Sequence, residues 1–142
     1  RVISEFMIQG GDIESMGGSG GYAAHYYGWC NGEQIPESQC PDKKDYTVPQ
    51  EHENGLKHTA GALAAAHAGV NTDGSQFYIV PSDGSAGHLD WEEGKDCTRE
   101  SCHTVYGYVI AGQNHVDAIS KLDTNSERPV DPVRILSASL HN

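Results

Sequence analysis

The feature that most constrains this chain is the shortness of its apolar runs, which glycine interrupts along the whole sequence. Its 142 residues include 17 glycines and only 2 phenylalanines, and the hydrophobic fraction is 37%. Such a composition is typical of a loop-rich protein with short strands and excludes a helical bundle. The length predicts a single domain, residues 1–142, that can bury a core of its own.

Apolar and alternating stretches predict several short strands. A bent strand pair at residues 2–3 and 6–8 leads into a Gly-Gly-Asp turn, and further strands are predicted at residues 26–27, 76–80, 105–110 and 133–140. Residues 60–68 are small and apolar, and their periodicity does not decide between helix and strand. Together with one helix, these strands indicate a small barrel or sandwich.

The one predicted helix covers residues 114–122. Val116, Ile119 and Leu122 recur at a spacing of three and share a face. Asn114 is expected to be the N-cap, and Asp117 lies early enough to interact favourably with the helix dipole.

Charge and hydropathy narrow the range of partners. The formal net charge of −11 would repel phosphate backbones and anionic lipids, so we expect neither nucleic acid nor a membrane surface as a partner. No run approaches the roughly 18 apolar residues of a membrane span. The 8 histidines are scattered along the chain, which favours ordinary surface composition over a metal site.

The four cysteines form two sequence-local pairs, Cys30 with Cys40 and Cys97 with Cys102. Each pair brackets what looks like its own loop, which favours two local disulfides among the three possible connectivities and a secreted or periplasmic location. Four free thiols are the alternative. The cysteine spacing is a poor match to zinc ligands. Residues 97–103, CTRESCH, resemble only a lengthened version of the Cys-x-x-Cys-His signature for haem attachment.

Two sequence blocks carry a family resemblance. Residues 1–12 read RVISEFMIQGGD and residues 71–79 read NTDGSQFYI. Three further pieces follow in the same order as in that family: the glycine-rich residues 18–21, Leu89-Asp90 followed by HTVYG at 103–107, and the helix followed by a last strand. Taken together over nearly the whole chain, these blocks resemble the cyclophilins.

The resemblance implies a mainly β fold, an antiparallel β-barrel of eight strands capped by helices, and peptidyl-prolyl cis/trans isomerase activity. No cofactor or metal is implied, because rotation about a peptide bond needs neither. Arg1, Gln9 and His103 match catalytic positions of the family. The positions that match its proline pocket and substrate contacts are Phe6, Met7, Ala66, His67, Gln76, Tyr78 and Leu89.

Several positions depart from the family pattern. His67 stands where the family usually has asparagine, although the usual contact there is made by backbone, and Tyr78 stands where phenylalanine is common. His88 replaces a frequent tryptophan and resembles bacterial forms, so we expect weak cyclosporin inhibition. Cysteine-bearing insertions lie near residues 30–49 and 91–102.

The resemblance begins at the catalytic arginine itself, so we expect a barrel that is incomplete at its N-terminus. The open edge of such a sheet invites a strand from a partner chain. The leading hypothesis is an isomerase that acts on proline-containing peptides and on unfolded or exported proteins. The alternative is a proline-pocket binding or structural subunit of a larger extracellular assembly, with little or no catalysis.

Overall fold

The computed structural model describes residues 1–141. Within that range the chain forms one α-helix, α1 (Gln113–Ser120), and ten short strands. In chain order the strands are β1 (Val2–Ile3), β2 (Met7–Gly10), β3 (Trp29–Cys30), β4 (Glu33–Gln34), β5 (Tyr46–Thr47), β6 (Ala62–Ala65), β7 (Phe77–Ile79), β8 (Val105–Tyr108), β9 (Thr124–Asn125) and β10 (Arg128–Pro129).

The main sheet has five strands in the order β1-β2-β7-β6-β8. All of its pairings are antiparallel, and Tyr78 on β7 lies opposite Gln9 on β2 and Ala64 on β6. A second sheet has the order β4-β3-β5, and β9 pairs with β10 in a separate hairpin. The fold is therefore mainly β with one helix, in agreement with the sequence prediction.

Two clusters of buried side chains lie against these sheets. The larger packs Met7, Tyr78, Val80, Leu89 and Val105 around the buried alanines of β6. The smaller combines both cysteines of the first pair with aromatic and small side chains, namely Ala23, Cys30, Cys40 and Tyr46. The larger cluster is the one that borders the site described below.

Several predicted elements are confirmed, with altered bounds. Residues 2–3 form β1, the strand predicted at 6–8 is β2 at 7–10, and the strands predicted at 76–80 and 105–110 become the shorter β7 and β8. Residues 60–68 contain a strand, β6, because the alanine side chains let β7 and β8 pair on either side of it.

Three predictions are wrong. Residues 26–27 form no strand, and the strand lies just after them at β3. Residues 133–140 do not form a closing strand, and Leu136 and Leu140 are almost fully exposed. The helix starts at Gln113 with Gly112, at a φ of 86°, as its N-cap, so Asn114 is inside the helix and does not cap it.

The cysteines pair as the sequence predicts. Cys30 is bonded to Cys40 with a Cα–Cα distance of 6.0 Å, and Cys97 to Cys102 at 5.4 Å. All four thiols are consumed, so the free-thiol and haem-attachment alternatives are wrong. His52 lies close to both sulfurs of the second bridge, but sulfurs bonded to each other are not the thiolates that hold a metal. Among residues 1–141, no helix is long and apolar enough to cross a membrane.

The main sheet is open over residues 1–141, as expected for an incomplete barrel, and its two edges differ. At β1 the Val2 N–H donates to the Glu127 carbonyl at 2.7 Å, so the turn between β9 and β10 covers part of that edge. In the described part of the chain no strand pairs with the outer edge of β8. The Asn54 side-chain amide donates to the Val105 carbonyl at 2.9 Å, whereas Tyr106 is 50% exposed and Ile110, two residues after the strand, is fully exposed. Edges of this kind recruit further strands.

We therefore expect the 142-residue chain, produced alone under oxidising conditions, to associate in a concentration-dependent way through β8. Tyr106→Lys should weaken the association, because a charge on an edge strand opposes pairing. Tyr27→Lys is the matched control, since Tyr27 is 54% exposed and lies outside the main sheet. Sedimentation velocity gives the readout. A monomer at every concentration, with slowly exchanging β8 amides, would contradict the expectation.

Candidate functional site

One cavity of about 370 Å³ gathers residues from distant parts of the chain. Every residue predicted to act on or bind substrate lines it. These residues are Arg1, Phe6, Met7, Gln9, Ala66, His67, Gln76, Tyr78, Leu89 and His103. The glycine-rich residues 18–21 form part of its wall, and Ala68, Thr72 and Gly74 were not predicted but also line it.

Buried apolar side chains form one part of the cavity wall. Met7, Tyr78 and Leu89 are each less than 7% exposed. Met7 comes from β2, Tyr78 from β7, and Leu89 from a 3₁₀ turn at Gly87–Leu89. Phe6 lies at the bend between β1 and β2, with its ring 5.4 Å from that of His88. This wall can accept a small apolar ring.

Glutamines contribute another part of the wall. Met7 and Gln9 are two positions apart on β2 and therefore face the same side of the sheet. The Gln9 side-chain amide donates to Gln76 Oε1 at 2.8 Å. Gln76 in turn donates to the carbonyls of Gly18 and Gly20. The two strands and the glycine-rich loop are thus joined by side-chain amides.

The Asp12 carboxylate organises the glycine-rich loop. It accepts hydrogen bonds from the backbone N–H groups of Glu14, Ser15, Gly17 and Gly18 at 2.7–3.1 Å. Desolvation opposes ionisation, but the bonds from Gly18 and its neighbours outweigh it and hold the pKa of Asp12 well below its usual range. An ionised carboxylate therefore fixes this wall of the cavity.

Arg1 lies at the rim of the cavity. Its Nε donates to Glu127 Oε2 at 2.6 Å, and its main-chain nitrogen donates to the Gln9 carbonyl at 3.0 Å. Both side chains of the ion pair are about half exposed, so the pair adds little stability. Its effect is to orient the guanidinium while leaving the two terminal nitrogens available as donors.

Two histidines stack at another part of the wall. The His103 Nδ1–H donates to the Ala65 carbonyl at 2.9 Å, and the His67 ring stacks on it with centroids 3.9 Å apart. His67 Nε2–H donates to the Cys102 carbonyl at 2.8 Å. The sequence assigned His67 a backbone contact only, whereas its side chain also supports His103.

Burial, together with the proximity of His67, lowers the pKa of His103 to about 4. The imidazole is therefore neutral at neutral pH. Because Nδ1 carries the proton, Nε2 is a hydrogen-bond acceptor.

Residues 91–102, the predicted insertion, lie against the cavity wall. Lys95 Nζ donates to the carbonyls of His88 and Asp90, both at 2.7 Å, and the His103 N–H donates to the Leu89 carbonyl at 3.1 Å. The Cys97–Cys102 bridge ends the loop directly before His103. The insertion therefore holds Leu89 and His103 together.

Sequence reasoning missed one residue next to this wall, His58. Its ring nitrogen lies 2.7 Å from the Tyr78 hydroxyl, although the two residues are 20 positions apart. No motif or periodicity in the sequence indicates this contact.

Comparison with known proteins assigns the family. The family model described as cyclophilin type peptidyl-prolyl cis-trans isomerase/CLD matches residues 1–140. The chain belongs to this family, as the resemblance indicated.

Among its relatives, peptidyl-prolyl cis-trans isomerase cypE of Dictyostelium discoideum is 35% identical, over 98% of this chain and 69% of the relative. Peptidyl-prolyl cis-trans isomerase-like 1 is 37% identical in Mus musculus and 36% identical in Homo sapiens, in both cases over 97% of this chain and 65% of the relative. The chain thus spans about two thirds of the length of these relatives.

The low pKa of His103 predicts a pH-dependent stability. Below the ordinary histidine pKa of about 6.5 the unfolded chain binds a proton that the folded state does not, so the stability falls as the pH drops from about 6.5 toward 4. The slope for one proton is at most about 1.4 kcal/mol per pH unit. His103→Asn, which retains an N–H donor for Ala65, should lose less free energy of unfolding over this window than the unmodified chain. Urea unfolding of both proteins at four pH values measures this difference. Equal slopes of the free energy of unfolding against pH would contradict the lowered pKa of His103.

Proposed function

We propose that this chain catalyses the cis/trans isomerisation of X–Pro peptide bonds in peptides and proteins. The observation that carries the proposal is the cavity itself, an apolar pocket with a guanidinium at its rim. Membership of a family of prolyl isomerases supports it. The relatives are longer, so the activity of the chain by itself is part of the proposal.

The chemistry of the reaction explains why such a cavity would suffice. Conjugation of the prolyl nitrogen with the preceding carbonyl makes the bond partly double, and uncatalysed rotation takes tens to hundreds of seconds. A catalyst has to weaken this conjugation in the twisted state. A guanidinium that donates to the prolyl nitrogen as it becomes pyramidal would do so, because the lone pair accepts a hydrogen bond only when it leaves conjugation.

Each part of the cavity has a place in this mechanism. Phe6, Met7, Tyr78 and Leu89 would hold the proline ring by apolar contact. Gln9, Gln76, the neutral His103 and the backbone at Ala66 and His67 would hold the peptide on either side of it by hydrogen bonds. Arg1 would supply the donor to the prolyl nitrogen. Rotation then proceeds without a bond to the protein.

We further propose that the protein works on exported proteins in an oxidising compartment. Two disulfides that close short surface loops support this location, since such bonds persist outside the reducing cytosol. Unfolded chains there present prolines that isomerise slowly. The edge of β8, with which no strand among residues 1–141 pairs, supports a second proposal, that a strand of another polypeptide pairs with it.

Arg1→Ala should lower kcat/KM for a proline peptide by about 100-fold or more, while the peptide Kd rises far less. The guanidinium contributes mainly in the twisted transition state, so its loss reduces turnover more than binding. Arg134→Ala is the matched control, because Arg134 is exposed in the C-terminal segment and does not line the cavity. Protease-coupled isomerisation and peptide titration give the two readouts. Equal losses in kcat/KM and in peptide affinity would mean that Arg1 only anchors substrate. An unmodified protein that does not accelerate isomerisation would favour the alternative of a binding subunit.

The disulfides give an independent test of the compartment. Protein isolated from its source cells and alkylated without reduction should carry no thiol adduct. Replacing Cys30 and Cys40 together by serine should lower the free energy of unfolding by about 2–3 kcal/mol, the entropy of closing a short loop. Replacing Cys97 and Cys102 together should have a similar effect and also raise KM, since that bridge precedes His103. Alkylated thiols in the isolated protein would contradict the proposal that it works in an oxidising compartment.

A further inference from the structure

A chain of three polar side chains runs behind the proline pocket. Tyr78 lines the cavity, but its hydroxyl contacts His58, a residue that does not line it. The His58 side chain is fully buried, and its other ring nitrogen lies 2.7 Å from Asp90 Oδ1. Asp90 follows Leu89 directly, so the chain ends beside another residue of the pocket wall.

The chemistry of the partners fixes the direction of these hydrogen bonds. Asp90 Oδ1 accepts the His58 backbone N–H at 2.8 Å as well as the ring contact. The same oxygen is thus the acceptor of both contacts, so His58 Nδ1 carries the ring proton. Burial lowers the pKa of His58, although Asp90 opposes the shift, and the ring is therefore neutral. Its Nε2 is then an acceptor, and the Tyr78 hydroxyl donates to it.

This arrangement constrains two walls of the pocket at once. The rings of His58 and Tyr78 stack with centroids 5.8 Å apart and planes 12° from parallel. Tyr78 comes from the centre of the main sheet, whereas Leu89 and Asp90 come from a 3₁₀ turn and its end. The hydroxyl proton points to His58, so the pocket has a tyrosine in its wall without presenting a free donor there.

We infer that His58 and Asp90 are positioning residues for the proline pocket, and that through Tyr78 and Leu89 they set the distance between its walls. The inference rests on the proposed isomerase function. It predicts a different kinetic signature from that of Arg1. A pocket of altered width binds the proline ring less well in the ground state and the transition state alike, so KM rises while kcat changes little.

The first measurement is the tautomer of His58 in the unmodified protein, from ¹⁵N–¹H correlation spectra of the imidazole rings at pH 7.5. A neutral ring protonated at Nδ1 is expected. A ring protonated at Nε2 would overturn the inference, because that nitrogen could not accept from Tyr78. This measurement needs neither a variant nor isomerase activity.

The second measurement is a double-mutant cycle of His58→Leu and Tyr78→Phe. Each single variant breaks the Tyr78–His58 hydrogen bond from one side, whereas the double variant removes both of its groups. Asp90 Oδ1 loses the ring contact in both variants that lack His58 and keeps the backbone N–H of residue 58. We expect His58→Leu to raise KM about five- to tenfold with kcat within about twofold, and the double variant to recover part of that loss. His115→Leu on the exposed face of α1 is the control that should leave both constants unchanged.

The outcomes separate the two proposals. An unmodified protein that does not accelerate isomerisation would refute the proposed function, and the tautomer and the peptide Kd would still test the role of His58. Active protein in which His58→Leu leaves KM unchanged, or in which the two losses simply add, would overturn the inference alone. If His58→Leu does not fold, the inference is tested by the tautomer of His58 and by Tyr78→Phe. Loss of the Tyr78 hydroxyl must shift the Nε2 resonance of His58, and an unchanged resonance would overturn the inference.

Discussion

The antiparallel pairing of β7 between β2 and β6 is the constraint on which the rest of the structure depends. It places Tyr78 opposite Gln9 on one side and Ala64 on the other. Ala62, Ala64 and Ala65 are completely buried, so β6 has no bulky side chain that would compete with Tyr78 for the same space. Met7 and Gln9 lie on β2, Gln76 directly precedes β7, and Ala66 directly follows β6. One register of three strands therefore positions half of the site.

The other half is positioned by loops, and a different kind of interaction stabilises them. Leu89 and His103 lie outside the three-strand unit and are brought together by the hydrogen bond from the His103 N–H, by Lys95 and by the Cys97–Cys102 bridge. A sheet holds its residues through a repeating ladder, whereas these loops rely on single contacts and a covalent link. The site therefore combines a wall whose geometry is set by register with a wall whose geometry is set by crosslinking.

The structure brings the ten candidate residues together, although it reproduces only part of the predicted elements. All ten line one cavity, as expected from the family resemblance that named them, and their roles in catalysis and binding stay predictions. The strand expected at 133–140 is absent because alternation shows only which face a strand would bury, and a strand also needs a neighbour to pair with. Asn114 does not cap the helix because Gly112 adopts a positive φ two residues earlier. His58 was missed because its partners, Tyr78 and Asp90, are 20 and 32 positions away.

The glycine-rich loop has a consequence for the thermodynamics of ligand binding. Its shape depends on the carboxylates of Asp12 and Glu14, which accept hydrogen bonds from main-chain N–H groups, and on glycines at positive φ, Gly18 at 88° and Gly21 at 108°. The conformational entropy of this loop is therefore lost when the protein folds and not when a peptide arrives, which lowers the ordering cost of association. The exposed Ser19 is free to change during evolution without altering the wall, whereas Asp12, Gly18 and Gly21 are not, because a side chain at a positive φ is strained.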